Sequence, residues 1–443
     1  MLLETRTLAM LSEALRQLDR GFGDLPEFEA LTPGADRMSA VLGETAARLQ
    51  DNYPYFHPLY AGQMLKPPHP IARAAYALAM WINPNNHALD GGRATSAMEK
   101  EAVAEIATLF GWDAHLGHLT GGGTMANLEA LWVAGQLQPG RTILASGQAH
   151  YTHERISGVL KLPFEKLQVD ARGRLDAEAL EERAMRGDIG CVVATLGTTG
   201  VGAVDPLPEI LRLRETFGFR VHVDSAYGGY FTLADNLAPE ARAAFDRIGE
   251  ADSIVIDPHK HGLQPYGCGC VLFRDPAVGA LYKHDSPYTY FSSNEMHLGE
   301  ISLECSRPGA AAAALWATQR LLPLVPHGEF ARSLSASRRA ALDFAGRLRS
   351  NEYFVVPFEP ELDIVVWAPR ERSASLASAA SQRIFDEAAR RQLHLALIQL
   401  PVEFFAEAWR DLDRDRSTIL CLRSVLMKPE HEAWIGEIMR RLM

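Results

Sequence analysis

Short apolar runs alternate with helical stretches between residues 115 and 275, and this alternation constrains the fold of the 443-residue chain more than any other feature. Helical stretches such as 176–186 and 207–216 separate several of the runs. Strands that are apolar throughout are typical of a parallel sheet whose two faces are covered by helices. The sequence therefore predicts an α/β fold with a mostly parallel sheet. The runs interpreted as buried strands are 142–145, 191–195, 220–223, 253–256 and 270–273.

The two ends of the chain differ from this central region. Leucines near the N-terminus recur at spacings of three and four, which predicts one apolar face of a helix. After residue 325, two long helices and two strands predict a smaller α+β domain. A chain of this length is expected to form more than one domain. We therefore predict an N-terminal helical segment (1–60), a large domain (61–325) and a small C-terminal domain (326–443).

The composition excludes several classes of function. The net charge is −11, from 44 Lys and Arg against 55 Asp and Glu, which argues against a nucleic-acid binder. Five scattered cysteines do not indicate a disulfide framework, and Cys268-Gly-Cys270 lacks the spacing of a zinc site. We therefore expect no metal. The first 18 residues lack the apolar core of a signal peptide, and no apolar run is long enough to cross a membrane. A cytoplasmic protein is the simplest expectation.

A glycine-rich segment, Thr120-Gly-Gly-Gly-Thr124, leads into a helical stretch at 125–134. The first N–H groups of a helix have no partner within the helix, and the helix dipole adds positive character there. A phosphate group fits such a position, with the hydroxyl group of Thr124 as a further donor. A plain tight turn has the same sequence pattern, so this segment alone does not decide between the two.

A histidine follows the strand at 142–145, in the segment Ser146-Gly-Gln-Ala-His150-Tyr151. Ligands of α/β proteins bind at the carboxyl ends of the parallel strands. An imidazole at that edge can stack on a planar cofactor ring. Taken alone, however, His150 is more simply interpreted as a surface histidine or a hydrogen-bonded one.

Two more strands each deliver a reactive side chain to the same edge. Asp224 follows the strand at 220–223, and a carboxylate there can pair with a protonated ring nitrogen. The small side chain of Ala226 leaves room for a ring, although a helix N-cap would equally explain Asp224. Lys260 follows the strand at 253–256 and His259, where desolvation and neighbouring cations can produce a nucleophilic amine.

These four features together indicate pyridoxal 5'-phosphate (PLP). They supply a phosphate site, a ring-stacking group, a partner for the pyridinium nitrogen and a lysine for the Schiff base. All four occur in one domain. Asp224 and Lys260 each end an apolar strand, so we expect them to converge at one edge of the sheet.

The same motifs resemble those of the group II PLP-dependent amino acid decarboxylases, which have the fold-type I architecture. The resemblance covers residues 50 to 325 well and the C-terminal part loosely. It implies a mostly parallel seven-stranded sheet with helices on both faces, a smaller α+β domain, and a homodimer with active sites at the subunit interface. The motifs are Gly122-Gly-Thr124, Gln148-Ala-His150-Tyr, Ala194-Thr-Leu-Gly-Thr198-Thr, His222-Val-Asp224-Ser-Ala226 and Asp257-Pro-His259-Lys260.

The resemblance also implies a role for each matching residue. The phosphate would bind to Gly122, Gly123, Thr124 and His259. His150 would stack on the ring, Ala226 would lie under it, and Thr198 would lie near the ring hydroxyl or the leaving carboxylate. Asp224 would pair with the ring nitrogen, Asp257 would lie near the cofactor, and Lys260 would form the internal aldimine.

Three further segments match the family less closely. Gln63 occupies the place of a glutamine in glutamate-type members, and Arg423 that of an arginine that faces the substrate. Tyr288 or Tyr290 lies where the family has a loop with a catalytic tyrosine. Arg307, in Ser306-Arg-Pro-Gly, resembles the archaeal tyrosine/aspartate decarboxylases and the sphingosine phosphate lyases, and could close the active site or serve the partner subunit.

The implied reaction is decarboxylation of an L-amino acid to its amine through an external aldimine and a quinonoid. A tyrosine or His150 would return the proton to the α-carbon. Two alternatives remain at this stage, a PLP-dependent carbon–carbon lyase or aldolase and a non-catalytic binding homologue. The sequence does not choose between an acidic and an aromatic substrate.

Overall fold

The computed structural model describes residues 5–26, 28, 29, 34–283 and 296–443. Two helices begin the chain, α1 (Thr5–Arg20) and α2 (Ala35–Leu49). Neither helix contains a fully buried residue within the described chain. The N-terminal segment therefore contributes little to the core of one subunit.

The central sheet has seven strands in the order β1-β7-β6-β5-β4-β2-β3. Strands β2 to β6 run parallel to their neighbours in this order, whereas β7 pairs antiparallel with both β6 and β1. This arrangement confirms the predicted α/β class and the mostly parallel sheet. The strands are β1 (Leu116–Thr120), β2 (Thr142–Ser146), β3 (Phe164–Leu167), β4 (Ile189–Thr195), β5 (Arg220–Asp224), β6 (Ser253–Ile256) and β7 (Gly269–Phe273).

Both faces of this sheet are covered, as alternate residues of its central strands show by packing in different apolar clusters. In β4, Val192 and Ala194 pack in one cluster, whereas Cys191 and Val193 pack in another. The strands are buried on both faces, which explains their continuous apolar sequence. The helices are α3 (Pro70–Met80), α4 (Leu89–Leu109), α5 (Gly123–Leu137), α6 (Thr152–Leu160), α7 (Ala177–Ala184), α8 (Leu207–Phe217), α9 (Pro239–Asp246) and α10 (Gly309–Leu321).

The C-terminal part forms a second, antiparallel sheet with the strand order β10-β11-β9-β8. This is the small α+β domain that the sequence predicts. Its strands are β8 (Phe354–Val355), β9 (Ile364–Pro369), β10 (Ala396–Pro401) and β11 (Thr418–Val425), and its helices are α11 (Glu329–Arg349), α12 (Ala374–Arg390) and α13 (His431–Leu442).

The two sheets are joined by continuous packing and by a buried polar contact. The first half of α11 packs with the large-domain core and its second half with the small-domain core. The hydroxyl group of Tyr227 donates to Asp363 Oδ1 at 2.5 Å, and His261 Nε2 lies 3.2 Å from Asp363 Oδ2. Leu59 and Ala61 pack with the small-domain core. The chain therefore passes from the large-domain core to the small-domain core within α11, and the bounds 1–60, 61–325 and 326–443 stay a prediction.

Within the part of the chain that the structure describes, every helix is too short or too polar to cross a lipid bilayer.

Candidate active site

A cavity of about 490 Å³ opens at the carboxyl ends of β4, β5 and β6. This is the edge at which parallel α/β sheets bind their ligands. Most of the residues singled out from the sequence meet there. The cavity is lined by Gly121, Gly122, Gly123, Thr124, Met125, Asn127, Leu128, His150, Thr152, Thr195, Gly197, Thr199, Asp224, Ala226, Tyr227, Asp257, His259 and Lys260.

The glycine-rich segment forms one wall of the cavity, where β1 turns into α5. Gly122 adopts a φ of +145°, which side-chain-bearing residues rarely adopt. A Cβ atom on Gly123 would lie 2.7 Å from Asp257 Oδ2, so the close approach of the backbone requires glycine. No described side chain caps α5, and the N–H groups of its first turn have no partner within the helix. The predicted phosphate site thus has free donors.

Asp224 ends β5 and is buried at the floor of the cavity. Its Oδ2 atom lies 2.8 Å from His153 Nε2, and its Oδ1 atom accepts from the backbone N–H of Ala226 at 3.1 Å. Burial alone would raise the pKa of this carboxyl group, but the hydrogen bond and charge of His153, together with Lys260, hold the pKa well below its usual value. Asp224 is therefore an anion that can pair with a protonated ring nitrogen.

Lys260 lies four residues beyond the end of β6, and its Nζ atom is 3.1 Å from Asp257 Oδ2. The same oxygen lies 3.5 Å from His259 Nε2. Its nearest charged partner is the carboxylate of Asp257 and not one of the cations expected from the sequence. Asp257 thus holds the amine at the cavity and, with His259, lies beside the glycine-rich wall.

His150 lines the cavity and is half-buried. Its Nδ1 atom accepts from the backbone N–H of Thr152 at 3.3 Å, so the ring carries its proton on Nε2 when it is neutral. Burial lowers the pKa of His150 below 6.5, against the opposing charge of Asp224. A neutral imidazole suits the stacking role.

Thr198 does not line the cavity, although the family resemblance placed it near the ring hydroxyl or the leaving carboxylate. The hydroxyl group of Thr198 is fully buried and accepts from the backbone N–H of Ala203 at 3.0 Å. Its neighbours Thr195 and Thr199 line the cavity, and the Thr195 hydroxyl oxygen has no partner among the described residues. Ala226 lines the cavity as expected. Thr198 therefore shapes the loop after β4 instead of facing a ligand directly.

Arg423 and Gln63 form a pair next to the cavity, which places both predicted substrate residues together. One Nη atom of Arg423 donates to the carbonyl oxygen of Thr199 at 3.1 Å, and the other to Gln63 Oε1 at 2.6 Å. The Nε atom of Arg423 is buried with no acceptor among the described residues. Burial lowers the pKa of the guanidinium group. This cation therefore has an unused Nε donor behind the cavity wall.

Arg307 does not join this group. Its guanidinium group is buried, donates to Glu99 Oε1 at 2.8 Å and to the carbonyl oxygen of Leu119 at 2.8 Å, and lies outside the cavity lining. An arginine with a buried carboxylate partner has a structural role, because removing either charge would leave the other buried and unpaired. The expected substrate contact of Arg307 is therefore replaced by an internal one. Tyr288 and Tyr290 lie outside the described residues.

Sequence reasoning missed His153, which is fully buried one helical turn after His150 and bonds to Asp224. The spacing of three residues was visible in the sequence. Nothing local indicated that α6 would bring this ring to the end of β5, since that contact depends on the strand order.

The cavity fits PLP on three observations. An anion that the site keeps ionised lies at its floor, a glycine cradle lies along one wall, and a lysine amine lies beside that cradle. The buried Oδ1 atom of Asp257 also has no partner among the described residues. The cofactor phosphate, ring nitrogen and aldehyde would each meet a complementary group.

Comparison with known proteins agrees with this geometry. Residues 51–369 match the family model described as the pyridoxal-dependent decarboxylase conserved domain. The chain is 30% identical to an L-tyrosine decarboxylase of Enterococcus faecium, over 72% of this chain and 70% of the relative. It is 28% identical to an L-aspartate decarboxylase of Thermococcus kodakarensis, over 73% of this chain and 83% of the relative.

Solved structures show the same fold. The crystal structure of Oryza sativa TDC with PLP and tryptamine has a TM-score of 0.78 at 18% identity, covering 99% of this chain and 96% of that chain. The crystal structure of mouse CSAD in its apo form has a TM-score of 0.77 at 19% identity, covering 96% of this chain and 91% of that chain. With the family match over most of its length, the chain belongs to the pyridoxal-dependent decarboxylases and is a PLP-dependent carboxy-lyase.

Proposed function

We propose that this enzyme decarboxylates an aromatic L-amino acid to the corresponding amine. Bound PLP supplies a cationic ring that accepts the electron pair left when carbon dioxide departs. Lys260 would hold the cofactor aldehyde, Asp224 would keep the proton on the ring nitrogen, and His150 would cover the ring face. The first-turn N–H groups of α5 would hold the phosphate.

The observation that carries the proposal is the buried guanidinium group of Arg423. Its Nε donor has no acceptor among the described residues, and one of its Nη atoms donates to the carbonyl oxygen of Thr199, a residue of the cavity lining. A carboxylate is the partner that a guanidinium group matches best. Arg423 and Gln63 would therefore bind the α-carboxylate and position the substrate.

The charges of the cavity favour an aromatic side chain over an acidic one. Apart from Lys260, the described lining contains no lysine or arginine. Its two imidazoles, His150 and His259, have pKa values lowered by burial and are neutral near pH 7. Apart from Lys260, which would hold the cofactor, the described lining thus offers no cation to the carboxylate of an aspartate side chain, and burying that carboxylate unpaired is costly.

The proposal is tested by offering the PLP-loaded enzyme each of the twenty amino acids and measuring carbon dioxide and amine. We expect release of both from an aromatic substrate. Aldehyde release without carbon dioxide would instead show a carbon–carbon lyase, and no product from any amino acid would favour the non-catalytic alternative. An aspartate-specific activity would overturn the substrate class alone.

Replacing Arg423 by glutamine should raise KM for the amino acid. A charge-assisted hydrogen bond is worth about 1.5–3 kcal/mol, so we expect an increase of about 10- to 100-fold. Steady-state kinetics measure the change. Arg320→Gln is the control, because Arg320 is exposed, lies outside the cavity lining and contacts the carboxylates of Glu101 and Glu105 and the ring of Trp316. Equal effects of the two substitutions would contradict a substrate-binding role for Arg423.

We also propose that the enzyme is a homodimer. Helix α2 carries an apolar stripe that nothing covers within the described chain, formed by Met38, Val41, Leu42 and Leu49. Exposed stripes of this kind mark interaction surfaces. A second copy of the chain is the occupant that we propose, since every residue of α2 is exposed in the described part of its own subunit.

The double substitution Val41→Glu with Leu42→Glu is expected to convert the dimer into a monomer of half the mass in light scattering. The control is Ala40→Glu with Ala47→Glu, which adds the same charge to the opposite face of α2 and should leave the mass unchanged. A wild-type protein that already has the mass of one chain would refute the proposal.

A further inference from the structure

His153 and Asp224 form a hydrogen-bonded pair below the cavity floor. The Nε2 atom of His153 lies 2.8 Å from Asp224 Oδ2, and both residues are buried. His153 belongs to α6 and does not line the cavity, whereas Asp224 does. The histidine can therefore act on a bound ligand only through the carboxylate.

The direction of this hydrogen bond follows from the charge of its acceptor. Asp224 is ionised and has no proton to donate, so His153 Nε2 carries the hydrogen. The other carboxylate oxygen accepts from the N–H of Ala226. With one donor fixed on each oxygen, the plane of the carboxylate is held, and lone pairs remain for a ligand that enters the cavity.

No other described histidine can take over this role. His222, on the same strand, places Nε2 at 2.8 Å from Asn127 Oδ1 and Nδ1 at 2.8 Å from the hydroxyl group of Ser253. Asn127 donates its own amide to the carbonyl oxygen of Gly123, which leaves Oδ1 as the acceptor. His222 therefore donates away from Asp224, and burial lowers its pKa to about 3.

We propose that His153 is a positioning residue that keeps the buried Asp224 ionised and correctly oriented, and thereby keeps the PLP ring nitrogen protonated. A buried carboxylate without a hydrogen-bond donor tends toward its neutral acid. A neutral Asp224 would no longer hold a proton on the ring. The inference rests on the cofactor site and is independent of the substrate.

The test measures the ring nitrogen itself, in the absence of substrate. Wild type, His153→Phe and His153→Gln are loaded with PLP that is ¹⁵N-labelled at the ring nitrogen, and its NMR shift is recorded. Phenylalanine keeps a ring but lacks a donor, so we expect the signal to move from the protonated toward the neutral pyridine position. Glutamine offers an amide N–H and should keep the signal near that of wild type.

The contrast between these variants separates positioning from a purely structural role. A phenylalanine variant with an unchanged ring-nitrogen signal overturns the inference, as does a folded glutamine variant that loses the protonated signal. Should the phenylalanine variant not fold, His153→Leu, which removes the donor in a smaller side chain, replaces it with the same two outcomes. We also expect kcat to fall about 10- to 100-fold in the donor-less variant, by analogy with losses of outer partners at metal sites, and to recover in the glutamine variant.

Discussion

Replacement of Lys260 by alanine is expected to abolish covalent attachment of PLP and to lower kcat by about 10²- to 10⁴-fold, the range for removing one positioned proton-transfer group. The physical reason is that the Nζ atom of Lys260 faces the cavity beside Asp257, within 3.1 Å of its carboxylate. Borohydride reduction followed by peptide mapping measures the attachment. In wild type, the label should fall on the peptide that contains residue 260.

Two other lysines make this a demanding experiment. Burial lowers the pKa of Lys66 to about 8 and that of Lys428 to about 7, so both offer more free amine at neutral pH than an ordinary lysine. Lys428 Nζ, however, donates to the carbonyl oxygen of Tyr60, and neither amine lines the cavity. A borohydride label on Lys66 or Lys428 would contradict the assignment. Lys166→Ala, which removes an exposed amine, is the control and should change nothing.

The positions of Asp224 and Lys260 could be predicted because each depends on a single buried strand. The run 220–223 extends in the structure to β5 (Arg220–Asp224), and 253–256 coincides with β6. Parallel strands that are buried on both faces can be recognised in a sequence as continuous apolar runs, and their carboxyl ends meet at one edge of the sheet. The family motifs at these ends strengthened the same conclusion.

Strands with mixed composition could not be predicted in this way. Strand β1 contains glycine, histidine and threonine, and β3 contains glutamate and lysine. Both lie at the edges of the sheet, where a strand has one neighbour and needs less apolar surface. The antiparallel pairing of β7 could likewise not be predicted, because a five-residue apolar run does not indicate the direction in which its strand runs.

Contacts between distant elements account for the remaining differences in the site. The partner of Arg307 is Glu99, on a helix more than 200 residues earlier, so no local pattern marked this arginine as internal. Thr198 and Thr199 differ only in which side of a loop each faces. The role of His153 depends on the lateral order β5-β4-β2, which brings α6 to the end of β5.

Replacement of Asp224 by asparagine is expected to produce the second largest loss, about 10²- to 10³-fold in kcat, the range for removing one group that stabilises charge electrostatically. The amide is nearly the same size and can still accept from His153, so the cavity should keep its shape. It is neutral, however, and cannot stabilise the positive charge of a protonated ring nitrogen. Because the charged ring is the electron acceptor, the loss should fall on kcat more than on KM.

The matched control for this substitution is Asp205→Asn. Asp205 is an equally buried carboxylate that accepts from the backbone N–H groups of Leu175 and Thr195, outside the cavity lining. Burial raises its pKa to about 7, so an amide resembles its partly neutral state. Losing one acceptor should cost about 1–3 kcal/mol of stability while kcat stays within twofold. If Asp224→Asn instead lowered stability alone and kept kcat, the ring nitrogen would not need an anionic partner, and the electron-sink role assigned to Asp224 would be wrong.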